Sequence, residues 1–137
     1  MKNNKSKDNN RIERINPIGV PEPVGRYSHI TKIPRDSEIY VFSGQIGVDF
    51  KGNVPSNLNE QVSNTFSNIS NLLSSQDLNP DNVIKVNIWA TEQIAWDFFD
   101  PKWDEFFGDN SPSMTVAYIS ELGLPELKIE IEIWAAK

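Results

Sequence analysis

The sequence predicts an α+β fold, a single mixed sheet with two helices covering one of its faces. Three observations lead there. Residues 127–135, "LKIEIEIWA", alternate cleanly, with Leu127, Ile129, Ile131 and Ile133 facing one way and Lys128, Glu130, Glu132 and Trp134 the other. Leu58, Val62, Phe66, Ile69, Leu72 and Leu73 recur at steps of three and four, the apolar stripe of an amphipathic helix. Segments of strand and helix pattern follow one another as β-β-α-β-α-β-β, with no internal repeat and no linker long enough for a second domain.

Residues 1–16, "MKNNKSKDNNRIERIN", are polar and aperiodic and read as a disordered tail, leaving a single domain over 17–137. "NPIGVPEPVG" holds three prolines and two glycines and reads as an extended lead-in. "RYSHITKIP" and "EIYVFSGQIGV", parted by "RDS", have the composition of two strands of a hairpin. Asn57 and Glu60 stand at capping-box spacing before the first helix, which should end near Gln76. "DLNPDN" breaks that helix. "VIKVNIWAT" then reads as a strand with Val83, Lys85, Asn87 and Trp89 on the face opposite Ile84, Val86 and Ile88. "WDFFDPKWDEFFG" is an aromatic helix whose main run should start at Pro101, with Asp100 as its N-cap and Gly108 at its end. Trp96, Phe99, Trp103 and Phe106 would share its core face. "SPSMTVAYIS" leads into a further strand, and "ELGLPE" turns into the last. With both helices on one face, the other carries charge interleaved with Trp89 and Trp134, a pattern of a subunit interface.

Composition narrows the chemistry. There is no cysteine and one histidine, His29, which argues against thiol nucleophiles, disulfides, and Cys-based or multi-histidine metal sites. His29 reads as structural. Residues 1–16 carry a local +3, so a total of −6 leaves −9 on the rest, which disfavours binding to a phosphate backbone. No nucleic-acid partner is expected. No run approaches the roughly 18 apolar residues of a membrane span, and the N-terminus lacks a secretory apolar core. A cytoplasmic protein with no membrane partner is the expectation.

"SGQIG" (Ser43 to Gly47) after the second strand and the closing "LKIEIEIWA" now become informative, together with "VGRY", "NVIKVNIW" and "WDEFFG". In this order and spacing they resemble the reactive intermediate deaminase family, also called RidA/YjgF or L-PSP, over roughly Val24 to Lys137. The resemblance implies a chorismate-mutase-like fold assembled as a homotrimer, with small-molecule sites in clefts between subunits. It implies hydrolysis of 2-enamines or 2-imines to 2-keto acids and ammonia, with no cofactor and no metal. It also implies the site residues. Tyr27 matches the tyrosine of the family's Gly-Pro-Tyr, although Arg26 replaces its proline. Ser43 and Gly44 match the pocket-lining serine and glycine, and Asp100 falls where active members often have asparagine. Glu130 matches the carboxylate that positions water or a proton, and is the candidate catalytic residue. Met114, in Pro112-Ser113-Met114-Thr115, stands where the active deaminases keep an arginine.

An arginine grips a substrate carboxylate through a planar, two-pronged donor set, and methionine has neither donor nor charge. Losing one partner of a buried carboxylate pair costs about 3–5 kcal/mol, on the order of a hundred- to a thousand-fold in binding. The expected function is therefore a trimer that binds a small metabolite between subunits, with weak or absent deaminase activity. Two other functions compete with it. One is a hydrolase on a different substrate, with Arg26 as the replacement anion anchor and Glu130 as general base. The other is an interaction or chaperone-like trimer. The residues themselves leave bland alternatives open: Met114 in the core, Arg26 solvated at the surface, Glu130 paired with Lys128 or Lys85, and Tyr27 as a core cap.

Overall fold

The computed structural model describes residues 11–137. In chain order it holds β1 (Glu13–Ile15), β2 (Ile30–Lys32), β3 (Ile39–Val41), β4 (Gln45–Ile46) and helix α1 (Leu58–Ser75). A 3-10 turn (Pro80–Asn82) then leads to β5 (Val83–Ala90), helix α2 (Trp96–Phe107), β6 (Ser113–Tyr118) and β7 (Ile129–Ala136). The main sheet runs β3-β7-β5-β6, with β4 also on β7. β5 and β6 are parallel and the other pairs antiparallel, so the sheet is mixed. Helix α2 is the crossover that a parallel pair requires. Val62, Phe66, Ile69 and Leu73 of α1 and Phe99, Trp103 and Phe107 of α2 meet Val86, Ile88, Ile129, Ile131 and Ile133 in one core. Both helices therefore lie on one face, as predicted. Among the described residues no helix is long and apolar enough to cross a membrane.

Local rules account for much of this. Asn57 caps α1, its side chain accepting from the Glu60 amide at 3.1 Å. One polar residue sits inside the α1 stripe: Gln61 is fully buried. Its amide nitrogen donates to the carbonyls of Pro55 and Glu126 at 2.8 and 3.0 Å, and its oxygen accepts from the Lys128 amide at 2.9 Å. The side chain thus ties α1 to the chain entering β7. Gly47 makes the same helix approach closely, because a Cβ there would lie 2.5 Å from the Gln61 Cα.

Several elements depart from expectation. Helix α2 begins at Trp96, with Pro101 inside it and Ala95 rather than Asp100 at the N-cap. An interior proline costs about 3 kcal/mol. Phe99, Trp103 and Phe107, all buried on either side of it, hold the turn helical. Phe107 joins the buried face, and Trp96 and Phe106 pack against the core partly buried. In β5 the register shifts between Val83 and Lys85, and this bulge turns Val83 into the core instead of beside Lys85.

The largest departure concerns β2. It pairs with β1, not β3, as a separate two-stranded ribbon, so the sheet is not single. The expected tail over 1–16 is correspondingly corrected at its C-terminal end, where Glu13–Ile15 form a strand; residues 1–10 lie outside the described residues. The Arg14 guanidinium fastens the ribbon by donating to the carbonyls of Asp81 (2.7 Å) and Val83 (3.1 Å). Burial lowers its pKa from the ordinary value while nearby Asp81 opposes the shift, and arginine stays charged at neutral pH. Meanwhile β3 is taken by β7, with Glu38 and Lys137 exchanging backbone hydrogen bonds at 2.8 and 3.0 Å.

Candidate functional site

The alternation of β7 turns Glu130 to the face away from the helices. There it lies opposite Ile46 of β4 on one side and Trp89 of β5 on the other. Directly opposed residues of an antiparallel pair share a face, with Cβ atoms about 5 Å apart. Gly44 stands over the same side chain: a Cβ at this position would run into the Glu130 carboxylate. Two residues far apart in sequence are thus in contact, and the glycine leaves room for the acid in this position. Ser43 precedes them, exposed, its carbonyl accepting from the Gln45 side-chain Nε2 at 3.0 Å.

Glu130 is half-buried, and the lysines that might neutralise it are engaged elsewhere. Lys128 pairs with Glu92 at 3.0 Å, and Lys85 donates to the Thr115 hydroxyl at 3.0 Å. Glu132 accepts from Asn87 at 2.9 Å. Among the described residues Glu130 has no hydrogen-bond or ion-pair partner.

Arg26, Tyr27, Asp100 and Met114 gather at the mouth of β6. The Ser28 amide and hydroxyl donate to the carbonyls of Pro112 (3.2 Å) and Ser111 (2.7 Å), docking the Gly25-Arg26-Tyr27 loop there. Arg26 does not offer a free cation. Its guanidinium bonds Asp100 at 2.8 Å and Asp104 at 2.9 Å, carboxylates one turn apart on α2. The expected anion anchor is therefore outnumbered, leaving a local charge of −1 from these three groups. With 49% of its side chain exposed, Arg26 adds under about 1 kcal/mol to stability through these pairs. Tyr27 packs edge-on to His29 with ring centres 5.7 Å apart, and its hydroxyl accepts from the Val24 amide at 3.3 Å. His29 Nε2 lies 2.7 Å from the Pro21 carbonyl, a structural contact. Met114 is opposite Val86, so it shares the helix-side face and packs half-buried against the core.

The seven expected site residues thus fall into two groups. Glu130 and Gly44 touch, with Ser43 beside them; Arg26 and Asp100 touch, with Tyr27 and Met114 near the same loop. Met114 and Glu130 lie on opposite faces, two strands and three residues apart, so roughly 14 Å separates their Cα atoms at standard spacings. Asp104 and Trp89 are the participants that sequence patterns alone left unassigned. Asp104 had a signal, four residues after Asp100 on one helix face; the Trp89 partner depends on strand register. Among the described residues no group of three or more His, Asp or Glu is placed to hold a metal ion. A cavity of about 420 Å³ lined by Arg14, Ser37, Asp81 and Asn110 lies elsewhere and includes none of the seven.

Four residues along β7 from Glu130, beyond Glu132, the same face exposes a pair of apolar side chains. Val41 is 63% exposed, and Trp134, paired with it, is 41% exposed. Large apolar side chains meeting in one patch are typical of an interface.

The family model described as endoribonuclease L-PSP matches residues 18–137. A RutC family protein from Buchnera aphidicola subsp. Schizaphis graminum is 30% identical over 126 residues, covering 90% of this chain and 96% of its own. A protein of Dermatophagoides farinae named 2-iminobutanoate/2-iminopropanoate deaminase is 25% identical, covering 82% of this chain and 86% of its own. Among solved structures, the Rid-family protein YyfB of Yersinia pestis, described as of unknown function, superposes with a TM-score of 0.82 at 20% identity. That match covers 93% of this chain and 99% of YyfB.

Proposed function

This chain belongs to the endoribonuclease L-PSP (Rid) family, and from that premise we propose that it is a cytoplasmic homotrimer binding a small metabolite in clefts between subunits. In each cleft the Glu130–Gly44 group of one subunit faces the Met114–Tyr27–Arg26 group of its neighbour. The observation that carries this reading is the half-buried, unpartnered Glu130 carboxylate seated on Gly44. A charge left without a partner is unfavourable unless something else meets it. The separation of the two groups supports the same reading, since neither makes a site by itself.

Deaminase activity on 2-imino acids is weak or absent. Glu130 is positioned to orient a water, but Met114 cannot grip the substrate carboxylate and Arg26 is held by Asp100 and Asp104. Ammonia release from 2-iminopropanoate should not rise above buffer, and a clear enzyme-dependent rate would overturn this. In Met114→Arg, activity should appear if the methionine is the main loss. Silence in that variant would mean that the Arg26–Asp100–Asp104 arrangement has diverged as well.

The trimer is tested separately. Val41→Glu combined with Trp134→Glu buries two charges in the proposed interface and should reduce the mass measured by light scattering from trimer to monomer. An unchanged trimer would remove this face from the interface.

A further inference from the structure

Glu130 and Trp89 form a directly opposed pair on the face away from the helices. A carboxylate beside an indole is an arrangement that favours an ammonium: the acid supplies a charge-assisted hydrogen bond and the ring a negative π-face. The surroundings point the same way. Lys128 and Arg26 are paired with Glu92 and with Asp100 and Asp104, while Lys85, bonded to the Thr115 hydroxyl, stands four residues from Trp89 along β5, roughly 13 Å away. Glu132, next along the same face of β7, adds a second negative charge. Met114, half-buried against the core of its own subunit, has no donor to offer an anion.

We infer that the Glu130–Trp89 pair selects a small aliphatic amine in its protonated form, without a carboxylate, as the cleft's ligand; this rests on the cleft reading above. The ammonium sits against the Glu130 carboxylate with the Trp89 ring beside it, and the alkyl part extends toward Met114 of the neighbouring subunit. A carboxylate in that place would meet the Glu130 and Glu132 charges at close range, with Lys85 four residues away along β5.

The test is a matched pair of probes, n-butylammonium and butanoate, titrated into the full chain at constant ionic strength and followed by the indole and backbone NMR signals of Trp89. Butylammonium should bind at least about tenfold more tightly than butanoate, a difference of about 1.4 kcal/mol. Glu130→Gln should weaken butylammonium by a similar factor while the melting temperature holds. Trp89→Leu, which keeps the charge and removes the ring, should weaken it by a smaller factor. Equal or tighter binding of butanoate overturns the amine assignment and leaves the cleft standing, as does butylammonium binding that is indifferent to Glu130→Gln. Failure of both probes to bind overturns the cleft as well.

Discussion

Gln61→Ala is expected to lower stability by about 3 kcal/mol, because it empties a fully buried position and leaves three part-buried backbone groups without their protein partner, at about 1 kcal/mol each. The groups are the carbonyls of Pro55 and Glu126 and the amide of Lys128, all within 3.0 Å of the Gln61 side chain. Gln61 is fully buried, whereas Pro55 and Lys128 are half-buried and Glu126 is exposed, which keeps the expected loss at the lower end of the range for buried groups. Urea titration of native and variant protein measures the difference directly. A loss below about 1 kcal/mol, the net worth of an ordinary hydrogen bond, would mean that this amide is not the clamp described above.

Gly47→Ala should act on the same contact from the other side. The added Cβ would stand 2.5 Å from the Gln61 Cα and 2.6 Å from its carbonyl oxygen. Both are backbone atoms of a helix and cannot rotate away. Helix α1 would have to move off β4, at an expected cost of about 3 kcal/mol and a fall of about 10 °C in Tm. Gly44→Ala makes the instructive contrast, since its Cβ meets the Glu130 side chain, which can swing aside. Its Tm should fall far less than that of Gly47→Ala. A thermal scan of the two alanine variants side by side checks this, and equal losses would refute the distinction. The Gly47 and Gln61 variants share one contact, so their effects should not add.

What was legible in the sequence was what short-range periodicity encodes. The α1 cap and stripe, the alternation of β7 and the placing of both helices on one face follow from residue order. The partner of β2 was not legible, because "ITK" suits any neighbouring strand and β1 offers an antiparallel match while β7 takes β3. The bulge after Val83 and the helix running through Pro101 were hidden for a similar reason: distant packing overrides the local preference. Gln61 is a polar residue inside an apolar stripe, and its meaning lies in carbonyls 6 and 65 residues away.

The candidate site divides the same way. The family resemblance proposes its residue identities, with Met114 at the place of an arginine. Their mutual placement was not legible. That Arg26 is held by two aspartates, and that Trp89 stands beside Glu130, depends on register and docking rather than on any motif.

The position of β7 bears on how the chain assembles. It pairs with β3, β4 and β5, yet it follows all of them in sequence. As the polypeptide emerges from the ribosome, three strands therefore wait with exposed edges for a partner not yet made. Such long-range closure is slow, and waiting edges are prone to pair wrongly. The β1–β2 ribbon, joined over a short span, can close early. The sheet that carries Glu130 is completed last, by the strand that bears it.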